Sequence, residues 1–318
     1  MNAPVSPEEG LAAVVDEAAT PDVAIVLTAS VERGLADADI DLAAYSLSAE
    51  DAPVRRLSPA AAEIVVMDRA AFDRADWAVI LPGIDVNAVP VAGREKRLLI
   101  ADMDSTVIGC ECLDELADLA GFGAQVSAVT ERAMAGELDF EGALTARVAF
   151  LENAPEALIE QVWAERIRLN PGAETLVRTM AARGSHTMLV SGGFTVFTAR
   201  VAVAAGFAEH RANTLEIAAA RLTGRVVPPI LGRAAKRQAL DAALAARGLS
   251  LADALAVGDG ANDLAMVEAA GLGVAYRAKP VLAAAADARI EHAGLEALLA
   301  LQGIELTSLE NQHGELNI

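Results

Sequence analysis

Short apolar runs alternate along this chain with stretches whose apolar positions recur at helical spacing. From residue 97 onward the short runs fall at 98–100, 187–190, 254–257, 272–275 and 288–290, and helical patterns separate them. Runs of this length between helical stretches predict the buried strands of a parallel sheet covered by helices, with functional residues at the carboxyl ends of the strands. About 80 residues lie between the first two runs, far more than a single crossover helix needs. Within them Phe140, Leu144, Val148 and Leu151 are spaced i, i+4, i+8 and i+11, the period of a helix with one buried face. This predicts a helical unit inserted after the first strand, over about residues 110–180, placed as a cap. Residues 213–217 and 221–227, joined through Ala218–Ala220, read as a β-hairpin.

The first 90 residues follow a different pattern. A strand is predicted at 23–27, a short helix at 31–36, strands at 40–47 and 63–67, a short helix at 70–75 and a strand at 77–81, with a loop over 51–59. The order βαββαβ points to a small α+β sandwich, ferredoxin-like or ACT-like and regulatory in type. Residues 82–95 carry two Pro and two Gly without sustained periodicity and read as a linker. The expected architecture is therefore an N-terminal α+β domain over 1–90 and an α/β domain over 91–318. The second domain has a doubly wound, Rossmann-like parallel sheet with its helical cap.

Composition narrows the function classes. With 318 residues, 54% of them apolar, the chain is long enough for more than one core. No apolar run approaches the roughly 18–20 residues of a spanning helix. Residues 1–11 carry Glu8 and Glu9 but no basic or apolar leader pattern, so the expected location is the cytoplasm. The net charge of −20 repels nucleic acid and anionic membranes, which removes both as expected partners. It also means that a phosphate site must be built locally, from a metal, a few cations and backbone N–H groups. Cys110 and Cys112 are too close in sequence to staple a fold, and the histidines (His186, His210, His292, His313) are scattered singly, so no structural zinc is expected.

Four segments carry candidate chemistry. In Asp102-Met103-Asp104-Ser105-Thr106 an apolar strand ends in two carboxylates two residues apart, positions that extended backbone turns to one side. Acids that close need a cation between them, and oxygen donors suit Mg²⁺. Ser191-Gly192-Gly193-Phe194 follows another strand and offers a hydroxyl with N–H groups that an anion can approach closely. Asp259-Gly260-Ala261-Asn262-Asp263 ends a third strand, with acids at i and i+4. Lys236 stands on a helical stretch after the hairpin. Each segment alone also fits an ordinary turn or a solvated helix. Their order, each at a strand's carboxyl end or on the adjoining helix, favours a common site.

These four segments together resemble the motifs of the haloacid dehalogenase superfamily of phosphatases. The cap segments containing Glu111 to Glu115, Thr130 to Met134, Gly136 to Phe140 and Arg147 resemble the branch that hydrolyses O-phosphoserine in the last step of serine biosynthesis. The resemblance covers about residues 96–300. It implies that Asp102 is a nucleophile forming an aspartyl-phosphate and that Asp104 is the general acid and base. It further implies that Mg²⁺ is held by Asp102, the Asp104 carbonyl and Asp259. Ser191, Gly192 and Lys236 would stabilise the phosphoryl oxygens, with Asn262 and Asp263 in support. Glu111 would meet the substrate ammonium, Arg147 its carboxylate, and Met134 and Phe140 would shield the site. A homodimer is left open. Two rivals stand beside this reading: a related phosphatase or phosphotransferase with another small metabolite as substrate, and a receiver module phosphorylated on Asp. The receiver would need neither the cap nor a second acid two residues after the nucleophile. The acidic tail after residue 301, with Glu305, Glu310 and Glu315, is expected to be a disordered end.

Overall fold

The computed structural model describes residues 22–306, except 135 and 233 and the side chain of Met134. Its first unit contains β1 (Val23–Thr28), α1 (Asp37–Ser46), β2 (Val54–Ser58), β3 (Ala61–Val66), α2 (Ala70–Arg74), α3 (Trp77–Ile80) and β4 (Asp85–Pro90). The strands form an antiparallel sheet in the order β2-β3-β1-β4, the ferredoxin-like arrangement.

The βαββαβ order is present, yet several elements lie elsewhere than the pattern predicted. Residues 40–46 are helical with Leu47 as the C-cap, because Ile40, Ala43, Ala44 and Leu47 are the buried positions, spaced i, i+3, i+4, i+7, while Leu42 and Tyr45 stay exposed. Residues 31–36, expected as helix, are turn and coil. The expected loop at 51–59 contains β2, and the expected strand at 77–81 is α3, whose Trp77 stacks on Phe72 at 5.8 Å. The expected linker contains β4. Its polar residues made it look like a connection, but Asp85 and Asn87 are buried, and their partners are more than 200 positions away in sequence.

Alternation along β1 decides what each face of this sheet covers. Ile25 and Leu27 pack with Ile40, Ala43 and Ile64 under the helices. Ala24 and Val26, on the other face, join a core that includes Leu57, Ala61, Val89 and Leu298.

The second unit runs through β5 (Leu98–Ala101), α4 (Cys112–Leu119), α5 (Gly123–Met134), α6 (Phe140–Ala149), α7 (Ala157–Glu165), α8 (Ala173–Ala182), β6 (His186–Phe194) and α9 (Thr195–Ala205). It continues with β7 (Glu209–Ala218), β8 (Arg221–Val227), α10 (Ala235–Ala245), β9 (Ala254–Gly258), α11 (Leu264–Val267), β10 (Leu272–Tyr276), α12 (Pro280–Ala283), β11 (Ala288–Ile290) and α13 (Ala297–Leu301). The sheet order is β11-β10-β9-β5-β6-β7-β8. Every pairing is parallel except the β7–β8 hairpin. All five predicted strands and the hairpin are present. Cores lie on both faces, one around Leu99, Leu189 and Val257 and the other around Ile100, Met188 and Ala256.

Helices α4 to α7 form the inserted unit. The chain enters and leaves it through a paired stem: Ile108 bridges Leu169, and the Asn170 amide donates to the Val107 carbonyl at 2.8 Å. On its other side the unit rests on the hairpin, where Asn153 and Leu222 exchange backbone bonds with Leu222 and Ala154 carbonyls. Helix α8 contacts β6 and α9 and so belongs to the layer on the sheet.

The two units meet along an edge. Asn87 donates to the Arg289 carbonyl at 2.9 Å and accepts from the Arg289 amide at 2.8 Å. The Asp85 carboxylate accepts from the amides of Glu291, His292 and Ala293. Residues 302–306, the described part of the expected disordered end, pack on the first sheet. The Leu306 amide donates to the Leu57 carbonyl at 2.8 Å, and Glu305 pairs with Arg55 at 3.3 Å. Glu310 and Glu315 lie outside the described residues. Among the described residues no helix is long and apolar enough to cross a membrane.

Candidate active site

Strand β5 lies between β6 and β9, with Ala101 opposite Leu189 and Val257. The carboxyl ends of three strands therefore come level, which gathers segments that are far apart in sequence. Asp102 follows β5 directly, held by a bond from its amide to the Val257 carbonyl at 3.0 Å. The chain then turns sharply through Met103–Val107, with Ser105 in the left-handed region at φ 57°. The turn brings the Asp104 carboxylate toward β6.

The Asp102 carboxylate is almost fully buried. Its Oδ1 accepts from the Met103 amide at 2.7 Å and lies 2.6 Å from Lys236 Nζ. Lys236, on α10, is also 2.5 Å from Asp263 Oδ1. Asp263 Oδ2 accepts from the amides of Asp259 and Gly260 at 3.2 and 3.1 Å, so both Asp263 oxygens are engaged. That packing requires Gly258, since a Cβ there would lie 2.4 Å from the Asp263 carboxyl carbon.

Charge is unbalanced here. Oxygens of Asp102, Asp259 and Asp263 all lie within 4.8 Å of one another, and the ammonium groups of Lys236 and Lys279 offset these three charges only in part. Burial, then the Asp263 charge, push Asp102 well above the usual carboxylate range. Asp259 is raised for the same two reasons. Burial works against the charged form of Lys236, but Asp102 and Asp263 outweigh it and raise the lysine. An all-oxygen donor set with uncompensated negative charge fits a hard divalent cation. Asp102, through its Oδ2, unpartnered among the described residues, and Asp259 could hold such an ion, because both oxygens of Asp263 are already committed to Lys236 and the two amides.

Asp104 is held by two donors. Its Oδ1 accepts from the Cys112 amide at 2.9 Å and its Oδ2 from the Ser191 hydroxyl at 2.8 Å. Ser191 in turn accepts from the Gly193 amide at 2.7 Å. The Ser-Gly-Gly segment bulges out of β6: pairing with β7 runs to Val190 opposite Arg211 and resumes only at Phe194 opposite Asn213. Asn213 fixes the bulge, its side chain donating to the Gly192 carbonyl at 2.9 Å and accepting from the Leu231 amide at 2.7 Å.

A cleft of about 250 Å³ opens between Phe140, Ser191, Gly192, Lys236 and Asn262. Phe140 closes it from the cap, its ring 3.0 Å from where a Cβ on Gly192 would stand. Glu111, just before α4, accepts from the Ser105 hydroxyl at 2.7 Å. Burial of its carboxyl, then the Asp104 charge, push Glu111 up to about 7; the residue as a whole is exposed, so water screens part of that effect. Arg147, on α6, lies 3.9 Å from Asp114 and makes no hydrogen bond to the strand-end residues among those described. The Met134 side chain lies outside the described residues.

Two supporting residues escaped the sequence reading. Asn213 is one, and the other is Asn170, whose side chain donates to the Thr106 carbonyl at 2.7 Å. Thr106, named in the first motif without a role of its own, has its hydroxyl 3.5 Å from Asp259. Nothing local marks an asparagine whose partner is 21 or 64 positions away.

The doubly wound sheet, the paired acids after its central strand and the buried lysine define a class. The chain belongs to the haloacid dehalogenase-like hydrolases, whose family model matches residues 99–268. Among its relatives, the phosphoserine phosphatase of Streptomyces coelicolor is 46% identical over 231 residues, covering 72% of this chain and 56% of that protein. The chain thus spans about half the length of that relative. The phosphoserine phosphatase of Albidiferax ferrireducens is 44% identical over 70% of this chain and 97% of its own length. The unliganded structure of a probable phosphoserine phosphatase from Vibrio cholerae superposes with a TM-score of 0.72 at 32% identity, covering 88% of each chain.

Proposed function

We propose that this chain hydrolyses O-phospho-L-serine to L-serine and phosphate through an aspartyl-phosphate on Asp102, as the last step of serine biosynthesis in the cytoplasm. The observation that carries the reading is the pairing of Asp102 with Lys236 while Asp104, two residues on, is held by Ser191 under the cap. The names of the relatives support the substrate.

Both partners of Asp102, the Met103 amide and Lys236, act on Oδ1. Oδ2 has no protein partner among the described residues, and it is the oxygen that attacks phosphorus in line. Asp104, steered by Ser191 and the Cys112 amide, gives a proton to the departing serine oxygen and later takes one from the attacking water. Lys236, the Ser191 hydroxyl and the Gly192 amide stabilise the equatorial phosphoryl oxygens. Asp263 holds Lys236, and Asn262 lines the cleft beside it. Mg²⁺ would be held by Asp102, the Asp104 carbonyl and Asp259, and when bound it supplies positive charge beside the transferring phosphoryl group. In the cap, Glu111 takes the substrate ammonium and Arg147 its carboxylate, with Phe140 and Met134 excluding water.

Phosphate release from L-phosphoserine, phosphoethanolamine and phospholactate tests this reading, with Mg²⁺ and with EDTA. Arg147→Ala should lower kcat/KM for phosphoserine by about 10- to 150-fold, the worth of one charge-assisted hydrogen bond. It should leave phosphoethanolamine, which has no carboxylate, nearly unchanged. Equal losses on both esters would show that Arg147 serves the phosphate or the cap, and another phosphorylated metabolite would become the better substrate.

A further inference from the structure

The guanidinium of Arg147 is addressed by the protein at one end. Nη1 stands 3.9 Å from Oδ1 of Asp114, too far for a hydrogen bond but within range of attraction between full charges. Nε of Arg147 and Oδ1 of Asp114 are both sealed from solvent without a hydrogen-bond partner. Buried polar atoms in that state have lost their hydration without compensation, and native structures keep few of them.

The geometry of a guanidinium gives this meaning. A guanidinium can grip a carboxylate with two parallel bonds along its Nε/Nη2 edge or its Nη1/Nη2 edge, and an acid placed at Nη1 takes up the second. Asp114 faces Nη1, so the Nε/Nη2 edge is left to an acceptor that the protein does not provide. The two residues come from different helices, Asp114 from the first turn of α4 and Arg147 from the last turn of α6. Their attraction therefore fixes the guanidinium across the cap and not only along its own helix. Asp114 keeps 48% of its side-chain surface exposed, which makes the tether moderate in strength.

We infer that Asp114 is a positioning residue for substrate selection, holding Arg147 through Nη1 so that the Nε edge is presented to the carboxylate of an amino-acid phosphate. This rests on the phosphoserine reading above. Asp114 acts through Arg147 and touches neither the phosphoryl group nor the nucleophile.

The test uses the full chain with Mg²⁺ and measures kcat and KM for L-phosphoserine and phosphoethanolamine. The variants are Asp114→Ala, Asp114→Asn, Arg147→Ala and the Asp114→Ala/Arg147→Ala double mutant. Asp114→Ala should raise KM for phosphoserine about 3- to 10-fold, as expected of a partly exposed ion pair, with kcat changed less than about twofold. The effect on phosphoethanolamine should be much smaller. Asp114→Asn keeps the shape and an acceptor oxygen and should recover part of the loss. Adding Asp114→Ala to Arg147→Ala should cost nothing more, because the tether has nothing left to hold. Equal losses on both esters, or additive losses in the double mutant, would show a merely structural role. A lower KM in Asp114→Ala would show that Asp114 competes with substrate for Arg147. Each of these results overturns the inference while the wild type still prefers phosphoserine. A wild type without that preference overturns the substrate reading and the tether together.

Discussion

Lys236 Nζ lies 2.6 Å from Asp102 Oδ1, and the same ammonium holds Asp263 on its other side. One cation thus fixes Oδ1 of Asp102 and leaves Oδ2 for the proposed in-line attack. Asp102→Asn should abolish phosphate release and leave no phosphoenzyme after rapid quench, because an amide is not a competent nucleophile. Lys236→Met should be inactive as well and also less stable, by about 3–5 kcal/mol in denaturant titration, since it strands buried carboxylates. Substantial turnover by Asp102→Asn would refute the covalent route.

Asp104 serves both halves of the proposed reaction. Asp104→Asn should slow turnover by about 10²- to 10⁴-fold, the usual worth of a positioned proton carrier. A leaving group that needs no proton should restore the first half but not the second, so p-nitrophenyl phosphate should give a burst followed by slow release.

The Asp259 carboxylate lies within 4.8 Å of those of Asp102 and Asp263, and its one side-chain hydrogen bond among the described residues comes from the Thr106 hydroxyl at 3.5 Å. Asp259→Ala should move half-activation by Mg²⁺ to higher concentration while the fold survives. Mg²⁺ should raise the melting temperature of the wild type in a concentration-dependent way, and that rise should be blunted in the variant. Equal activity in EDTA and in Mg²⁺ would remove the metal from the scheme.

Glu111 predicts a pH effect whose sign follows from its charge. It must be ionised to hold an ammonium, and burial with the Asp104 charge lifts it to about 7. The ratio of kcat/KM for phosphoserine to that for phospholactate should therefore rise as pH increases toward 7 and level off above it. Phosphate ionisation is common to both esters and cancels. A cation beside Asp104 removes part of the upward push, so with Mg²⁺ the step should fall at or below 7. Glu111→Gln should flatten the ratio.

Asp85 accepts four amide contacts from residues 291–293 and is almost fully buried. Asp85→Ala would leave those donors unsatisfied at a cost of about 1–3 kcal/mol each for any that stay buried. Urea unfolding should show the loss, with phosphatase activity at low temperature unchanged. A chain starting near Gly93 should lose more, because Leu298 and its neighbours would lose the cover of Ala24, Val26 and Val89.

The site was legible because its residues sit in short segments with a local signature. An acid pair after a strand, a glycine pair before a helix and an Asp-rich turn each carry their position with them. What holds those segments in place was not legible. Asn213 and Asn170 act on backbone carbonyls far away in sequence, and Asp114 matters only beside Arg147. In the first unit the apolar runs are short, so residues 40–47 fit a period of two as well as one of 3.6 until burial decides. Strand β4 looked like a connection because its polar side chains are answered by a backbone that the local sequence does not contain.

The amide of Asn87 meets both the N–H and the C=O of Arg289, the pair of groups that the next strand of a sheet would use. Strand β11 is the last of its sheet, and an unpaired last strand is a template on which other chains add and fibrils grow. A single side chain here imitates a strand and caps that template. Asn87→Ala should therefore increase self-association at high concentration, a defect of solubility in a protein whose chemistry is intact.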